Sequence, residues 1–433
     1  MKYLPIDKKL FIKNRAKFVS KMEPNAIAVF NSNDIYPISA DSTLPFAQHR
    51  DIFYLSGVDQ EESILVLFPE SKDEKHREIL FLKETNEHIA IWEGEKLNQK
   101  QAFETSGIQT VYWLDEFETV LDTLLNEAKS IYINFNDHPR AVVETETRED
   151  RFIKWCKEKY PNHKYLMSQP ILQHYRSIKE PEEIELIQKA CNITEKGFRR
   201  VLGFTKPNVW EYEIEAEFIH EFIRNRADGF AYTPIIASGY NANVLHYIEN
   251  NKQCKDGDLI LMDVAAAYGN YSSDLTRCIP ANGKFSPRQK EVYNAVLRVK
   301  NAAAKMLVPG TLIADYHKKV GEIMTQELIG LGLLTENEVA NQDEEKPAYK
   351  KYFMHGTSHY LGLDTHDYGI TTEPIEAGMV FTVEPGIYIP EEKLGIRIED
   401  NYVVQPVGEP INLMANIPIE VEEIEALMNT NKI

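Results

Sequence analysis

The sequence predicts two domains, an α/β domain over residues 1–172 and an α+β domain over residues 173–433. Three observations carry this. The length of 433 residues asks for two or three domains at roughly 100–200 residues each. The first part alternates short apolar runs with helical stretches. Near residue 172 the rhythm changes to long amphipathic helices and paired strands.

In the first part, Ala26–Phe30, Ser63–Phe68, Ile79–Leu82 and Ile131–Phe135 are apolar runs of strand length. Between them, Glu116–Lys129 places its apolar residues at helical spacing. Pro161 and Pro170 punctuate the approach to the boundary. Pro181 then opens a helix whose Ile184, Ile187, Cys191, Thr194 and Phe198 share one face, the missing proline N–H being harmless in a first turn. A second helix is expected over Glu211–Asn225, then strands at Leu259–Val264 and Asn270–Ile279. Ser286-Pro287-Arg288-Gln289 reads as a capping box opening a helix that stops at Pro309-Gly310. Another helix starts near Ala314, and strands return at Val380–Glu384 and Ile396–Val404. Asp343-Glu344-Glu345 reads as a solvated linker. Repeats and low-complexity segments are absent from the sequence.

Composition narrows the function. The 43% hydrophobic and 27% charged content suits a globular chain with a real core. A net charge of -19 argues against nucleic acid, whose phosphates need concentrated Lys and Arg, and against anionic membrane surfaces. The start carries no apolar signal core, and no apolar run nears the roughly 18 residues that span a bilayer. Four scattered cysteines with no CxxC pair fit a reducing compartment, so a cytoplasmic enzyme is expected.

Four segments carry candidate chemistry. Leu259–Val264 ends an apolar strand on Asp263, a carboxylate that burial would penalise without a partner. Asp274 follows eleven residues later with Gly269-Asn270 between, so a hairpin would join the two acids. The bland alternative is an acid that caps a turn and another paired with Arg277. The stretch His355–Asp367 holds three of the chain's 12 histidines, His355, His359 and His366. Its His355/His359 spacing lacks the glutamate of a zincin helix, since Gly356 stands there, and Gly356 and Gly362 disfavour a long helix. Glu384, before the Pro385-Gly386 turn, and Glu399 each end an apolar strand, with a salt bridge to Arg397 the bland alternative for Glu399. Asp263, Asp274, His359, Glu384 and Glu399 together would balance two divalent cations, and a mostly hard-oxygen set suits Mn²⁺. Two ions about 3.5–4 Å apart can hold a hydroxide at neutral pH.

The order Asp, Asp, His, Glu, Glu in these flanks resembles the pita-bread metallopeptidases, the creatinase and methionine-aminopeptidase group. MHGTSHYLGLDTHD, TVEPGIYI and GIRIED resemble the aminopeptidase P and prolidase branch over roughly 172–433. ADSTLPFAQHRDIFYLSGV, residues 40–58, resembles the N-terminal domain of aminopeptidase P proteins, and IWEGEKL, residues 91–97, their tryptophan-bearing loop. The resemblance implies an α/β domain followed by a pita-bread catalytic domain, and an enzyme that removes the residue preceding a proline from a peptide's N-terminus. It implies Asp263 on one ion, Asp274 and Glu399 bridging, and His359 and Glu384 on the other. Glu384 would shuttle the proton. His246, His355 and His366 would bind substrate and stabilise the tetrahedral intermediate. On the substrate-binding side, Tyr232 and Arg397 match residues that orient ligands, Trp92 would cap the proline pocket, and Tyr388 would line the cleft. The loop Ile389–Leu394 is shorter than in many bacterial relatives, and Tyr360 and Thr365 replace a common tryptophan and valine. A homo-oligomer, dimer or tetramer, is expected. Three rival readings remain at this point: a prolidase with the same ligands, a metal-free binding module, and a creatinase-like amidinohydrolase. The last two predict lost ligands.

Overall fold

In the computed structural model, which describes residues 2–343 and 345–430, Met1 and the Glu344 of the expected linker lie outside the described residues. The chain forms two units, one from Tyr3 to Tyr175 and one from Arg176 onward.

The apolar runs of the first unit all become strands, Ala26–Asn31, Ser63–Leu67, Glu78–Leu82 and Ser130–Ile133. They form the middle of a six-stranded sheet whose edges are Thr110–Trp113 and Lys164–Met167. Sequence patterning missed both edges because they are mostly half-buried or exposed and so lack an apolar run. Ala26–Asn31 runs antiparallel to Ser63–Leu67 and parallel to Ser130–Ile133. The central strands are buried along their length, which is why they read as continuous apolar runs rather than alternating ones. The helix Phe117–Leu125, read from its spacing, buries Phe117, Leu121, Leu124 and Leu125 against one side of this sheet.

In the second unit the helix Pro181–Phe204 begins on Pro181 and buries Ile187, Cys191, Thr194 and Phe198, with Ile184 half-buried. Ser286 caps Pro287–Ala304 through the expected box with Gln289. Glu211–Arg224 and Ile313–Gly330 complete the long helices. Two expected strands are broken. Residues 270–279 form Tyr271–Ser272 and Thr276–Pro280, because the Ser273 N–H and hydroxyl both turn back to the Ala266 carbonyl, at 3.1 and 2.8 Å. The run 396–404 changes partners midway. Leu394–Arg397 pairs with Gly386–Ile389, and Asp400–Val403 pairs with Val380–Val383. At that switch Glu399 bridges to Thr276, its N–H donating to the Thr276 carbonyl at 3.1 Å. The Gly269-Asn270 turn is real. Both residues are left-handed, at φ 60° and 66°, as a two-residue hairpin turn requires. Among the described residues no helix is long and apolar enough to cross a membrane.

One ionisable group is sealed into the first unit. Glu149 is buried at the start of the helix Arg148–Lys159 and accepts the Asn31 backbone N–H and Nδ2 at 2.9 and 2.8 Å. Burial outweighs these bonds and pushes its carboxyl up to about 8. The folded state therefore keeps the proton where the unfolded chain, with an ordinary carboxyl, releases it. This contribution to stability is complete below the ordinary carboxylate range and is lost as pH rises toward about 8. Glu149→Gln should accordingly melt close to the wild type at pH 5 and increasingly above it as pH approaches 8. A difference in melting temperature that stays constant across that range counts against a buried proton.

Candidate metal centre

The two turn-and-switch irregularities deliver the carboxylates. Asp263 ends the strand Leu259–Asp263, which pairs antiparallel with Thr276–Pro280, Asp263 facing Thr276. Asp274 sits in the broken stretch just before that partner strand. Glu399 sits where the later run changes partners. Glu384 follows Val380–Val383 and donates its backbone N–H to the Thr357 carbonyl at 2.7 Å. Pro385, lacking an N–H, then hands the chain to Gly386–Ile389.

These segments bring the expected ligands together. One ligand atom from each of Asp274, His359 and Glu399 lies within 4.8 Å of the others. His359 Nε2 is 3.5 Å from Asp274 Oδ2 and 3.5 Å from Glu384 Oε1. Its Nδ1 lies 3.0 Å from the Tyr360 carbonyl, so Nδ1 carries the proton and Nε2 is left as the free electron pair. Asp263 is joined to the group by Arg397, whose Nη2 donates to Asp263 Oδ2 at 2.7 Å. Both bland alternatives fail: Arg397 pairs with Asp263 and not Glu399, and Arg277 pairs with Asp400 and not Asp274.

The donor set fits divalent ions. Buried Asp263 Oδ1 and Glu399 Oε1 have no hydrogen-bond partner, the costly state that a cation resolves. Burial and the charges of Asp274, Glu384 and Asp263 push the Glu399 carboxyl well up. Burial likewise raises Glu384, to about 7, against the pull of His359 and Arg397. The Asp274 and Glu384 carboxylates outweigh burial and raise His359. Every one of these shifts draws positive charge into the same small volume.

The remaining histidines differ in setting. His355 Nδ1 donates to the Gly356 carbonyl at 2.7 Å, and its Nε2 accepts the Tyr388 hydroxyl at 2.8 Å. Burial, then the Arg397 charge, lowers its pKa to about 3, so it is a neutral imidazole. His366 is exposed, its ring edge-on to that of His359 with centroids 4.4 Å apart. His246 is exposed after the turn Gly239–Asn243, near enough for its charge to bear on His355.

Two expectations on the substrate side need adjustment, those for Tyr388 and Trp92. Tyr388, expected to line the cleft, is only 1% exposed and meets the site through His355 and through Arg397, whose Nη1 donates to its hydroxyl at 2.8 Å. Arg397 itself is spent on Asp263, Tyr388 and Thr276, so it orients carboxylates rather than meeting a peptide. Tyr232 takes the same role: its hydroxyl accepts the Leu275 N–H at 3.4 Å, and burial with the Asp263, Asp274 and Glu399 charges keeps it protonated. Trp92 lies in the short helix Glu87–Glu93 rather than a loop and is 78% exposed.

Sequence reading missed Thr276, whose hydroxyl donates to Glu399 Oε2 at 2.7 Å. Its place two residues after Asp274 could have flagged it. It also missed the buried Arg277, which donates to the Glu399 carbonyl at 2.7 Å and to Asp400 Oδ1 at 2.6 Å. No sequence pattern marks that contact, because its partners lie more than a hundred residues away.

Comparison with known proteins identifies the family. Residues 185–406 match Metallopeptidase family M24, and residues 11–132 match Aminopeptidase P, N-terminal domain. The chain is 36% identical to an Xaa-Pro aminopeptidase of Haemophilus influenzae and 34% identical to one of Escherichia coli, over 98% of each pair of chains. It also resembles the solved structure of zinc-substituted Escherichia coli aminopeptidase P in complex with product. That match has a TM-score of 0.87 at 32% identity, over 99% of this chain and 100% of the other. The chain belongs to metallopeptidase family M24. Its fold is the one expected, an aminopeptidase P-type N-terminal domain joined to a pita-bread hydrolase domain.

If repulsion among the carboxylates is relieved only by a cation, Glu399→Gln should raise the melting temperature of chelator-stripped protein by roughly 2–4 °C. The same variant should lose the stabilisation that added Mn²⁺ gives the wild type. Melting curves with and without the ion report both, and a stripped variant no more stable than wild type would contradict the repulsion.

Proposed function

We propose that this chain is an Xaa-Pro aminopeptidase that releases the N-terminal residue from peptides with proline second, using two divalent ions, Mn²⁺ by preference. The observation that carries the reading is the close trio Asp274, His359 and Glu399, with Glu384 beside His359, Asp263 held by Arg397, and an oxygen of Asp263 and of Glu399 left without a hydrogen-bond partner. It is reinforced by full-length likeness to Xaa-Pro aminopeptidases. Asp263, Asp274, His359, Glu384 and Glu399 would hold the ions. When bound, the ions supply Lewis-acid polarisation of the scissile carbonyl and lower the pKa of water for attack.

The chain's own residues supply the rest. Glu384 takes the proton from the attacking water and passes it to the leaving proline nitrogen. His246, His355 and His366 donate hydrogen bonds to the substrate and to the developing oxyanion, work that is commonly worth several kcal/mol. His355 does so as a neutral N–H donor, and must first release the Gly356 carbonyl. Arg397 and Tyr232 fix the orientation of Asp263 and its neighbours. Proline sets the specificity because its tertiary amide has no N–H and its ring fixes φ, so peptidases that need either feature of an ordinary bond pass it by.

Prolidase is the less favoured reading, because the Haemophilus influenzae and Escherichia coli relatives, matched over 98% of the chain, are named Xaa-Pro aminopeptidases. The proposal extends to a cytoplasmic homo-oligomer. Four buried free thiols suit a reducing compartment, and exposed Ile35, Ile38, Leu44, Ile91 and Trp92 suit contact with another copy.

Chelator-stripped protein given Mn²⁺ should release alanine from Ala-Pro-Ala. Cleavage of Ala-Pro alone would make the protein a prolidase instead. His366→Ala should keep its metal, by elemental analysis, while kcat falls about 100-fold or more. Normal turnover in that variant removes His366 from the mechanism.

A further inference from the structure

From a single rung of the β-sheet behind the centre, we infer that Asn401 and Thr382 together set the spacing of the metal ligands. Asn401 is a positioning residue that nothing in the motif pattern singles out. The inference rests on the metal reading above.

The strands Val380–Val383 and Asp400–Val403 run antiparallel with Thr382 directly opposite Asn401. Side chains opposite each other in an antiparallel pair leave the sheet on the same face. Each of these two closes both backbone polar groups of one ligand residue. Asn401 Oδ1 accepts the Asp274 N–H at 3.0 Å, and its Nδ2 donates to the Asp274 carbonyl at 2.8 Å. Thr382 donates its backbone N–H to the His359 carbonyl at 3.0 Å, and its hydroxyl oxygen accepts the His359 N–H at 3.2 Å. Asn401 is 0% exposed, as is Thr382, so no water competes for these groups.

Asp274 and His359 come from segments 85 residues apart, joined by a backbone bond from the Ser272 N–H to the Gly362 carbonyl at 2.8 Å but not paired as strands. The rung stands in for that pairing. Asp274 lies in the broken stretch 273–275, where its backbone groups would otherwise be buried and unpaired. Glu399, the third member of the close trio, stands two residues before Asn401 on the same run. One rung thus carries all three, and a shift of the asparagine moves Asp274 relative to both others. The Cys191 thiol donates to Asn401 Oδ1 at 3.5 Å, and the Leu413 N–H to the Asn401 carbonyl at 2.9 Å, which holds the clamp from behind. Hydrogen-bond partners of ligating side chains typically contribute 10–100-fold to metal affinity, and that sets the scale for these backbone contacts.

The test is calorimetric titration of the full-length, chelator-stripped chain with Mn²⁺, alongside the melting temperature of each stripped protein. Asn401→Ala should fold, melt lower, and bind Mn²⁺ 10–100-fold more weakly. Thr382→Val, which removes only the hydroxyl, should weaken binding about 10-fold, and Thr382→Ser should restore it. A merely structural role would lower the melting temperatures and leave the affinities untouched, and that result overturns the inference. Should Asn401→Ala fail to fold, the Thr382 pair decides, with equal affinity in Val and Ser variants as the overturning outcome. Wild type is the control that separates the two readings: no Mn²⁺ binding there overturns the metal reading, and this inference with it.

Discussion

Crowding of like charge is the constraint on which the second unit depends. Four carboxylates and an imidazole meet in a place where burial leaves two carboxylate oxygens without a partner. Nothing in the local sequence would assemble them spontaneously, since each acid would be better solvated apart. They stay together because their backbones are fixed by elements whose own stability comes from elsewhere: an antiparallel ladder at Asp263, a β-bridge at Glu399, a strand end at Glu384. The side chains inherit positions they would not choose.

Behind the acids lies a second layer of charge with the opposite character. Arg277 and Lys300 both reach Asp400, and all three are buried. Despite burial, which raises it, the two cations hold the Asp400 carboxyl down to about 2. Two cations face one carboxylate here, a net charge of +1 opposite in sign to the acid cluster. Arg277 spends its remaining donors on the Thr276, Glu399 and Pro418 carbonyls, so this cationic cluster anchors backbone that carries the acids. Breaking such a buried pair from one side commonly costs 3–5 kcal/mol. A similar device fixes the loop that carries His366. Arg176 binds both Asp364 and Asp367, at 2.8 and 2.6 Å, and Lys179 binds Asp367 from the other side at 2.9 Å.

How much of this the sequence disclosed follows from the range of each interaction. Local signals were readable. The Gly269-Asn270 turn, the Ser286 capping box and the apolar runs of the first sheet each depend on neighbours a few residues away. The five ligand-type residues stood out too: Asp263, Glu384 and Glu399 at or near the ends of apolar runs, Asp274 through the Gly269-Asn270 turn, and His359 in a dense histidine segment. The strand breaks at 273–275 and 398–399 were not, since they arise from bonds to Ala266, Pro385 and Thr276 that periodicity cannot register. The burial of Tyr388 escaped for the same reason: a tyrosine in an apolar strand reads alike whether its hydroxyl meets peptide, histidine or arginine. Edge strands escaped because the apolar signal fades where one side meets solvent.

The long reach of the Arg277 contacts bears on the order of events during synthesis. Arg277 closes on the Pro418 carbonyl, and Tyr293 on the Ile419 carbonyl, so residues near 420 complete a framework begun near 260. A nascent chain that has exposed Asp263 and Asp274 still lacks the histidine, both glutamates and the strands that space them. Ion capture therefore belongs after translation has passed this region.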